Sequence, residues 1–294
     1  MRSKTKLIAL VTGCLAVLCM RGQEETVFAH RQAKGKISNI EIDEISGLIA
    51  SARNPSRFWT HNDSGDKARI FLLDDSAKHK ATYHLKGVPA RDWEDIGIME
   101  RKGRHYLLVA DIGDNKGRYP HVRVYLFEEP LVSARKHAVD TIPKEQIHAF
   151  KLKYENGPRD AESLFFDPVD ERLYIISKRE LEVGIYCTAL PETPAGTLML
   201  RKVGSLPHTF ITSADISPDG SEVLVKNLME VFYWKRKGGE SIPDMLSRPA
   251  MKLPYKPEPQ GEAITFSRDG SGYYTLSEKA LRMDAILYFY KRLL

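Results

Sequence analysis

The sequence predicts an all-β fold, a β-propeller of five four-stranded blades. Three observations carry that expectation. A short motif recurs at intervals near fifty residues. A turn and further apolar runs of strand length follow each copy. No long stretch between the copies has helical periodicity.

The motif reads acidic residue, any residue, aliphatic, any residue, apolar. It occurs as Glu94-Asp95-Ile96-Gly97-Ile98, Glu162-Ser163-Leu164-Phe165-Phe166 and Glu262-Ala263-Ile264-Thr265-Phe266. Ser46-Gly47-Leu48-Ile49-Ala50 has Ser in the acidic place, and Ala214-Asp215-Ile216-Ser217-Pro218 has its acid one residue later. The copies begin at 46, 94, 162, 214 and 262. Turns rich in Pro, Asp and Gly follow, such as Asp167-Pro168-Val169-Asp170 and Ser217-Pro218-Asp219-Gly220. Second runs come next, among them Tyr106-Leu107-Leu108-Val109 and Leu173-Tyr174-Ile175-Ile176. Third and fourth runs complete each unit, as in Val122 to Phe127 and His148 to Tyr154. The last unit lacks a fourth strand after Tyr290, and Lys36 to Glu41 is expected to supply it and close the ring. The long interval from 94 to 162 implies an insertion near Pro130 to Gln146 holding a short helix, or, as the lesser option, a sixth blade. A sandwich or two small β domains is the architectural alternative.

The N-terminus reads as a leader. Arg2, Lys4 and Lys6 precede an uncharged stretch from Leu7 to Met20, shorter than the roughly 20 residues of a membrane span. The expected division is a leader over 1–29, cut after Ala29, and one domain over 30–294. A cut after Gly22 is an alternative, and Val11-Thr12-Gly13-Cys14 would place a lipid on Cys14. The expected location is therefore outside the cytoplasm, periplasmic or extracellular. Cys187 is then the one cysteine of the body and reads as a buried core thiol.

Composition excludes some classes. With 42% hydrophobic and 28% charged residues the chain is globular. Its 44 basic and 39 acidic residues are interspersed, so a dedicated nucleic-acid binder is not indicated. No phosphate loop, Gly-x-Ser-x-Gly elbow or His-Glu-x-x-His occurs, and no nucleotide cofactor is expected.

The first strands should place Glu94, Glu162, Asp215 and Glu262 around one opening. Seventeen residues after Ser46 and after Glu94 come two Asp-x-Gly-Asp loops, Asp63 to Asp66 and Asp111 to Asp114. Clustered carboxylates repel unless a cation offsets them. A divalent ion, Ca²⁺ first, would draw oxygen ligands from Asn62, Asp63, Glu94, Asp111, Asn115, Glu162, Asp215 and Glu262. Salt bridges are the plainer reading, because Arg91-Asp92-x-Glu94 and Arg159-Asp160-x-Glu162 bring their own cations. Glu94, Glu162 and His61 are the candidates for a general base. Arg91, Arg159, Lys178, Arg179, Lys226 and Trp93 are the candidates for holding a ligand.

Seven stretches together resemble a family of exported bacterial β-propeller proteins, mostly without an assigned activity. They are Glu44-Ile45-Ser46-Gly47-Leu48, His61 to Asp66, Asp92 to Ile96, Asp111 to Asn115, Asp160 to Leu164, Ala214 to Gly220 and Gln260 to Ile264. The resemblance implies motif-bearing loops on one face and no particular reaction. More distantly, the acidic mouth looks like those of calcium-dependent phytase-like and lactonase-like propellers.

Whether the protein is an enzyme stays open at this point. The first reading is a monomeric ligand- or partner-binding module for a small molecule, glycan or envelope protein. A metal-dependent hydrolase of a phosphoester, ester or lactone is the alternative, and a glycosidase using paired carboxylates is the third.

Overall fold

A computed structural model describes residues 26–133, 138–280 and 282–293. Five antiparallel meanders follow one another. The N-terminal strand β1 (Gln32–Lys36) precedes the first, which comprises β2 (Ile45–Ala50), β3 (Arg57–Asn62), β4 (Arg69–Asp74) and β5 (His79–Leu85). The second has β6 (Trp93–Arg101), β7 (Arg104–Asp111) and β8 (Val122–Glu128), then β9 (Ala138–Ile142) and β10 (His148–Tyr154). The third has β11 (Ala161–Asp167), β12 (Arg172–Ser177), β13 (Val183–Ala189) and β14 (Thr197–Leu206). The fourth has β15 (Ile211–Ile216), β16 (Glu222–Asn227), β17 (Val231–Lys235), the helix α1 (Ile242–Ser247) and β18 (Met251–Lys252). The last has β19 (Ala263–Phe266), β20 (Gly272–Leu276) and β21 (Ile286–Lys291), with β1 as its outer edge.

The five or six separate four-stranded blades expected from the repeats are not what the hydrogen bonds build. Main-chain pairing gives four sheets, of four, eight, four and five strands. Two parallel pairings cause the difference. Lys151–Tyr154 of β10 pairs with Thr197–Leu200 of β14, which joins the second and third meanders into the eight-stranded sheet. That sheet curls until its edge strands β6 and β11 lie side by side, nearly closing like a barrel, with Leu164 N–H donating to Asp95 Oδ2 (2.9 Å). The insertion contributes β9, which adds a fifth strand to the first sheet alongside β5. Its helix is a single 3₁₀ turn at Lys144–Gln146. The strand added from the N-terminus lies at Gln32–Lys36, several residues before the expected run.

The local reasons for these elements are visible in the residues. Ser217 to Ser221 and Ser267 to Ser271 are twin turns. Asp219 Oδ1 accepts Ser221 N–H and Asp269 Oδ1 accepts Ser271 N–H, both at 3.0 Å. Between meanders the apolar faces meet. Leu108, Val124, Leu152, Leu164 and Leu173 fill the inside of the curled sheet. Each such side chain contributes about 1.5–3 kcal/mol by leaving water.

The first strands β2, β6, β11, β15 and β19 stand each beside the next, with β19 back beside β2. Side chains tie them together. Ser46 Oγ donates to Glu94 O (2.9 Å), Phe266 N–H donates to Asp215 Oδ2 (2.8 Å) and Ala50 N–H donates to Thr265 Oγ1 (3.1 Å).

Most of the expected leader, including Cys14 and the Leu7–Met20 run, lies outside the described residues. Secretion, a periplasmic location and a lipid anchor gain no support from the structure. The end of that leader belongs to the fold. Phe28 is fully buried against Tyr233 and Tyr273, and Ala29 N–H donates to Lys291 O. Among the described residues no helix is long and apolar enough to cross a membrane.

Candidate functional site

Four of the five first strands carry a β-bulge at the same place. The register slips between Ile45 and Gly47, Trp93 and Asp95, Ala161 and Ser163, and Ile211 and Ser213. A bulge leaves one residue unpaired and re-aims its side chain. The extra residues are Ser46, Glu94, Glu162 and Thr212, and Glu262 immediately precedes β19. These five positions begin the first strands at one end of the molecule.

Thr212 was missed in the sequence because it is not acidic. The matching turns could have found it. Glu262 lies five residues before Ser267, and Thr212 lies five before Ser217. Asp215 is three residues further along. Its Oδ2 accepts Thr265 Oγ1 and Phe266 N–H, and its Oδ1 accepts Ile216 N–H. Burial pushes its pKa up to about 6, against the pull of those donors.

The hairpin register also separates the two Asp-x-Gly-Asp loops. Trp93 pairs with Asp111 and Ile45 pairs with Asn62, so Asn62 is the counterpart of Asp111. Asp111 is fully buried and engaged. It meets Arg91 Nε at 3.4 Å, accepts Asp92 N–H (3.2 Å) and accepts Tyr125 O–H (3.3 Å). Asp63 lies one residue beyond its own strand and reaches the mouth.

There Asp63, Asp92 and Glu94 come together, with one carboxylate oxygen of each within 4.8 Å of the others. Gly113 makes the room. A methyl group on it would run into Glu94 Oε1 and the Asp92 carboxyl group. Burial raises the Glu94 pKa well above the usual carboxylate range, the charges of Asp63 and Asp92 raise it further, and Lys178 opposes them. Asp92 is pushed up to about 6, by burial first and then by Asp63 and Asp160. None of the three makes an ion pair among the described residues. Their oxygens are hard donors, so this cluster can chelate a divalent ion.

The other expected residues divide. Lys178 forms an ion pair with Glu162 Oε1, while Glu162 Oε2 is buried without a hydrogen-bond partner. Glu262 is raised chiefly by burial. Glu278 is pushed up to about 8 by burial and by Glu262. Asn62 donates to Glu41 O (2.8 Å) and to Asp66 Oδ2 (3.0 Å), and its own Oδ1 is buried without a partner. Asn115 and Asp160 share the Arg179 guanidinium.

Arg91 and Arg159 do not pair with the glutamates three residues after them. Arg91 stacks on Tyr119 and meets Asp111, and Arg159 binds Glu180 (2.9 Å) and stacks on Tyr186. Lys226 is fully buried, donates to Gly261 O and Asn227 O, and is lowered by burial to about 8. His61 is fully buried too. Its Nδ1 bonds Asn62 O (2.9 Å) and its ring packs edge-on against the buried Trp93, and burial lowers its pKa.

No family model matches the chain. No curated protein matches it either. One solved structure similar to it is described as "Crystal structure of Nidogen/Laminin Complex", with 12% identity and a TM-score of 0.49, covering 84% of this chain and 80% of that one. The resemblance to exported bacterial propeller proteins, and to phytase-like and lactonase-like ones, is therefore corrected, because no family model or curated relative supports those motifs. The readings of the whole domain as a propeller-type binding module, a metal-dependent hydrolase or a glycosidase lose their basis with it. What stands is an all-β domain with a compact acidic cluster at one end.

Proposed function

We propose that the acidic mouth is a divalent-cation site and that Ca²⁺ is the ion it suits. The observation that carries this is the approach of Asp63, Asp92 and Glu94, three carboxylates from two segments, the end of β3 and the entry to β6, with no cation paired to them. Like charges so placed favour protonation, and a metal ion relieves the same repulsion. All the donors are oxygen, with no His or Cys among them, which favours a hard cation over Zn²⁺. Ca²⁺ takes 6–8 oxygens. Bidentate carboxylates and water would complete its shell, and the free Asn62 Oδ1 is a further oxygen at the same end.

The test is the thermal midpoint of the full chain after EDTA treatment, then with Ca²⁺, Mg²⁺ or Zn²⁺ restored. At about a hundred times its Kd, an ion that binds only the native state adds about 2.7 kcal/mol, or roughly 5–10 °C for a domain of this size. That rise is expected with Ca²⁺ and is expected to vanish in Asp92→Asn and Glu94→Gln. No rise with any ion would end the proposal.

A further inference from the structure

Six large apolar side chains stand exposed on the loops at the mouth end: Ile40, Tyr119, Leu181, Phe210, Met229 and Met283. The other exposed large apolar residues of the described chain are divided between outer strands and the opposite end. Three of the six belong together. Phe210 N–H donates to Lys178 O (2.6 Å), Val183 N–H donates to His208 O (3.2 Å) and Asn227 Nδ2 donates to Thr209 O (3.4 Å). These bonds tie the loops of Leu181, Phe210 and Met229 side by side. Leu181 is 89% exposed, Met229 65% and Phe210 48%.

Phe210 also has a φ of 53°. A bulky residue in the left-handed region is a genuine outlier, and such strain clusters at binding sites. Here it presents an aromatic ring to solvent where a glycine would fit without cost.

Acidic side chains lie beside this patch. Lys178, whose carbonyl holds Phe210, pairs with the buried Glu162 and also faces Glu94 and, together with Lys226, Glu262. Arg179 is taken up by Asp160 and Asn115. Glu162 Oε2, on a side chain 6% exposed, has no partner, and Glu182 is exposed next to Leu181.

We infer that the Leu181, Phe210 and Met229 patch docks a polypeptide segment in which a Lys or Arg adjoins an apolar residue. The apolar side chain covers Phe210, and the cation reaches Glu162. Apolar contact supplies affinity, while opposite charge selects the partner and orients it. Methionine and aromatic residues at a protein's surface suit this role. The inference goes beyond the metal-ion reading and does not need it, since neither the patch nor Glu162 belongs to the Asp63, Asp92 and Glu94 group.

The probe is a pool of labelled heptapeptides with a central Lys or Arg flanked by Phe, Leu, Met or Ile. Two control pools replace the central residue by Glu, or the flanks by Ser. Binding to the full chain is measured at low salt in EDTA. The basic, apolar pool is expected to bind at least tenfold more tightly than either control. Phe210→Gly should weaken that binding at least tenfold while leaving the thermal midpoint unchanged or higher. Leu181→Ser, at an almost fully exposed position, gives the same readout if Phe210→Gly disturbs folding. Absence of binding at millimolar peptide, equal binding of the Glu pool, or full binding by both variants would overturn the inference. The Ca²⁺-induced rise in midpoint is a separate readout, so either proposal can fail alone.

Discussion

Glu129 and Glu94 are both buried glutamates, yet they are treated in opposite ways. Glu129, at the end of the β8 hairpin, has donors on both oxygens. Ser51 Oγ and Trp59 Nε1 donate to Oε1, and Ala52 N–H and Arg53 N–H donate to Oε2. It joins the first sheet to the second meander. Glu94 faces Asp63 and Asp92, and its one opposing charge, Lys178, is already paired with Glu162. A buried charge with enough donors is architecture. A buried charge that lacks them is destabilising until something binds, and that difference marks the mouth as the place where this fold gives up stability.

The sharpest way to break the comparison is Glu129→Ala. It would strand two backbone N–H groups, an indole N–H and a hydroxyl away from water. The expected loss is about 3–5 kcal/mol, within the range for breaking a buried network. Urea unfolding measures it. A loss below about 1 kcal/mol would mean that the Glu129 network contributes little and that the contrast is empty.

Asp215→Asn is expected to cost less, about 1–2 kcal/mol. The amide keeps one acceptor but turns an NH₂ group toward Phe266 N–H or Ile216 N–H. Its effect should be the same with and without Ca²⁺, because both Asp215 oxygens are already engaged by the protein. If Asp215→Asn abolished the ion-induced rise in midpoint, the division between architectural and ion-binding acids would fail.

Much of this was legible in the sequence and some was not. The five repeating units, their turns and the acidic end follow from local signals: alternation, Asp-Pro and Asp-Gly turns, and recurring acids. The joining of the second and third units was hidden because it depends on Lys151–Tyr154 meeting Thr197–Leu200, a contact between distant segments that no local pattern encodes. The bulges decided the site. The bulge puts Thr212, three residues before Asp215, in the position of Glu94, and a one-residue difference between hairpins puts Asp63 at the mouth while Asp111 is buried behind Arg91. Identity of residue type suggested the wrong pairings, and the backbone register corrected them. Asp92 is absent from the expected ligands because Arg91-Asp92-x-Glu94 reads as a unit that carries its own cation, whereas Arg91 turns to Asp111 and Tyr119.

The smallest predicted effect isolates the mouth most cleanly. In the ion-free protein the folded pKa values of Asp92 and Glu278 lie at about 6 and about 8, above their ordinary values of 3.8 and 4.5, and Glu94 is raised as well. Between the ordinary and the folded values the native state holds more protons than the unfolded one. Stability therefore falls as pH rises from about 4 to about 8, opposite to the usual carboxylate behaviour. Glu94→Gln removes one of the repelling charges. It should stabilise the ion-free protein at pH 8 by about 1 kcal/mol and flatten that decline. At pH 4 the carboxyl of the native protein is already protonated, so the variant and the parent should unfold together. Bound Ca²⁺ should flatten the same decline in the parent by offsetting the same repulsion. Thermal midpoints across that pH range, with EDTA and with Ca²⁺, give all four curves. A Glu94→Gln protein less stable than the parent at pH 8 would show that the Glu94 charge is satisfied in the fold, as that of Glu129 is.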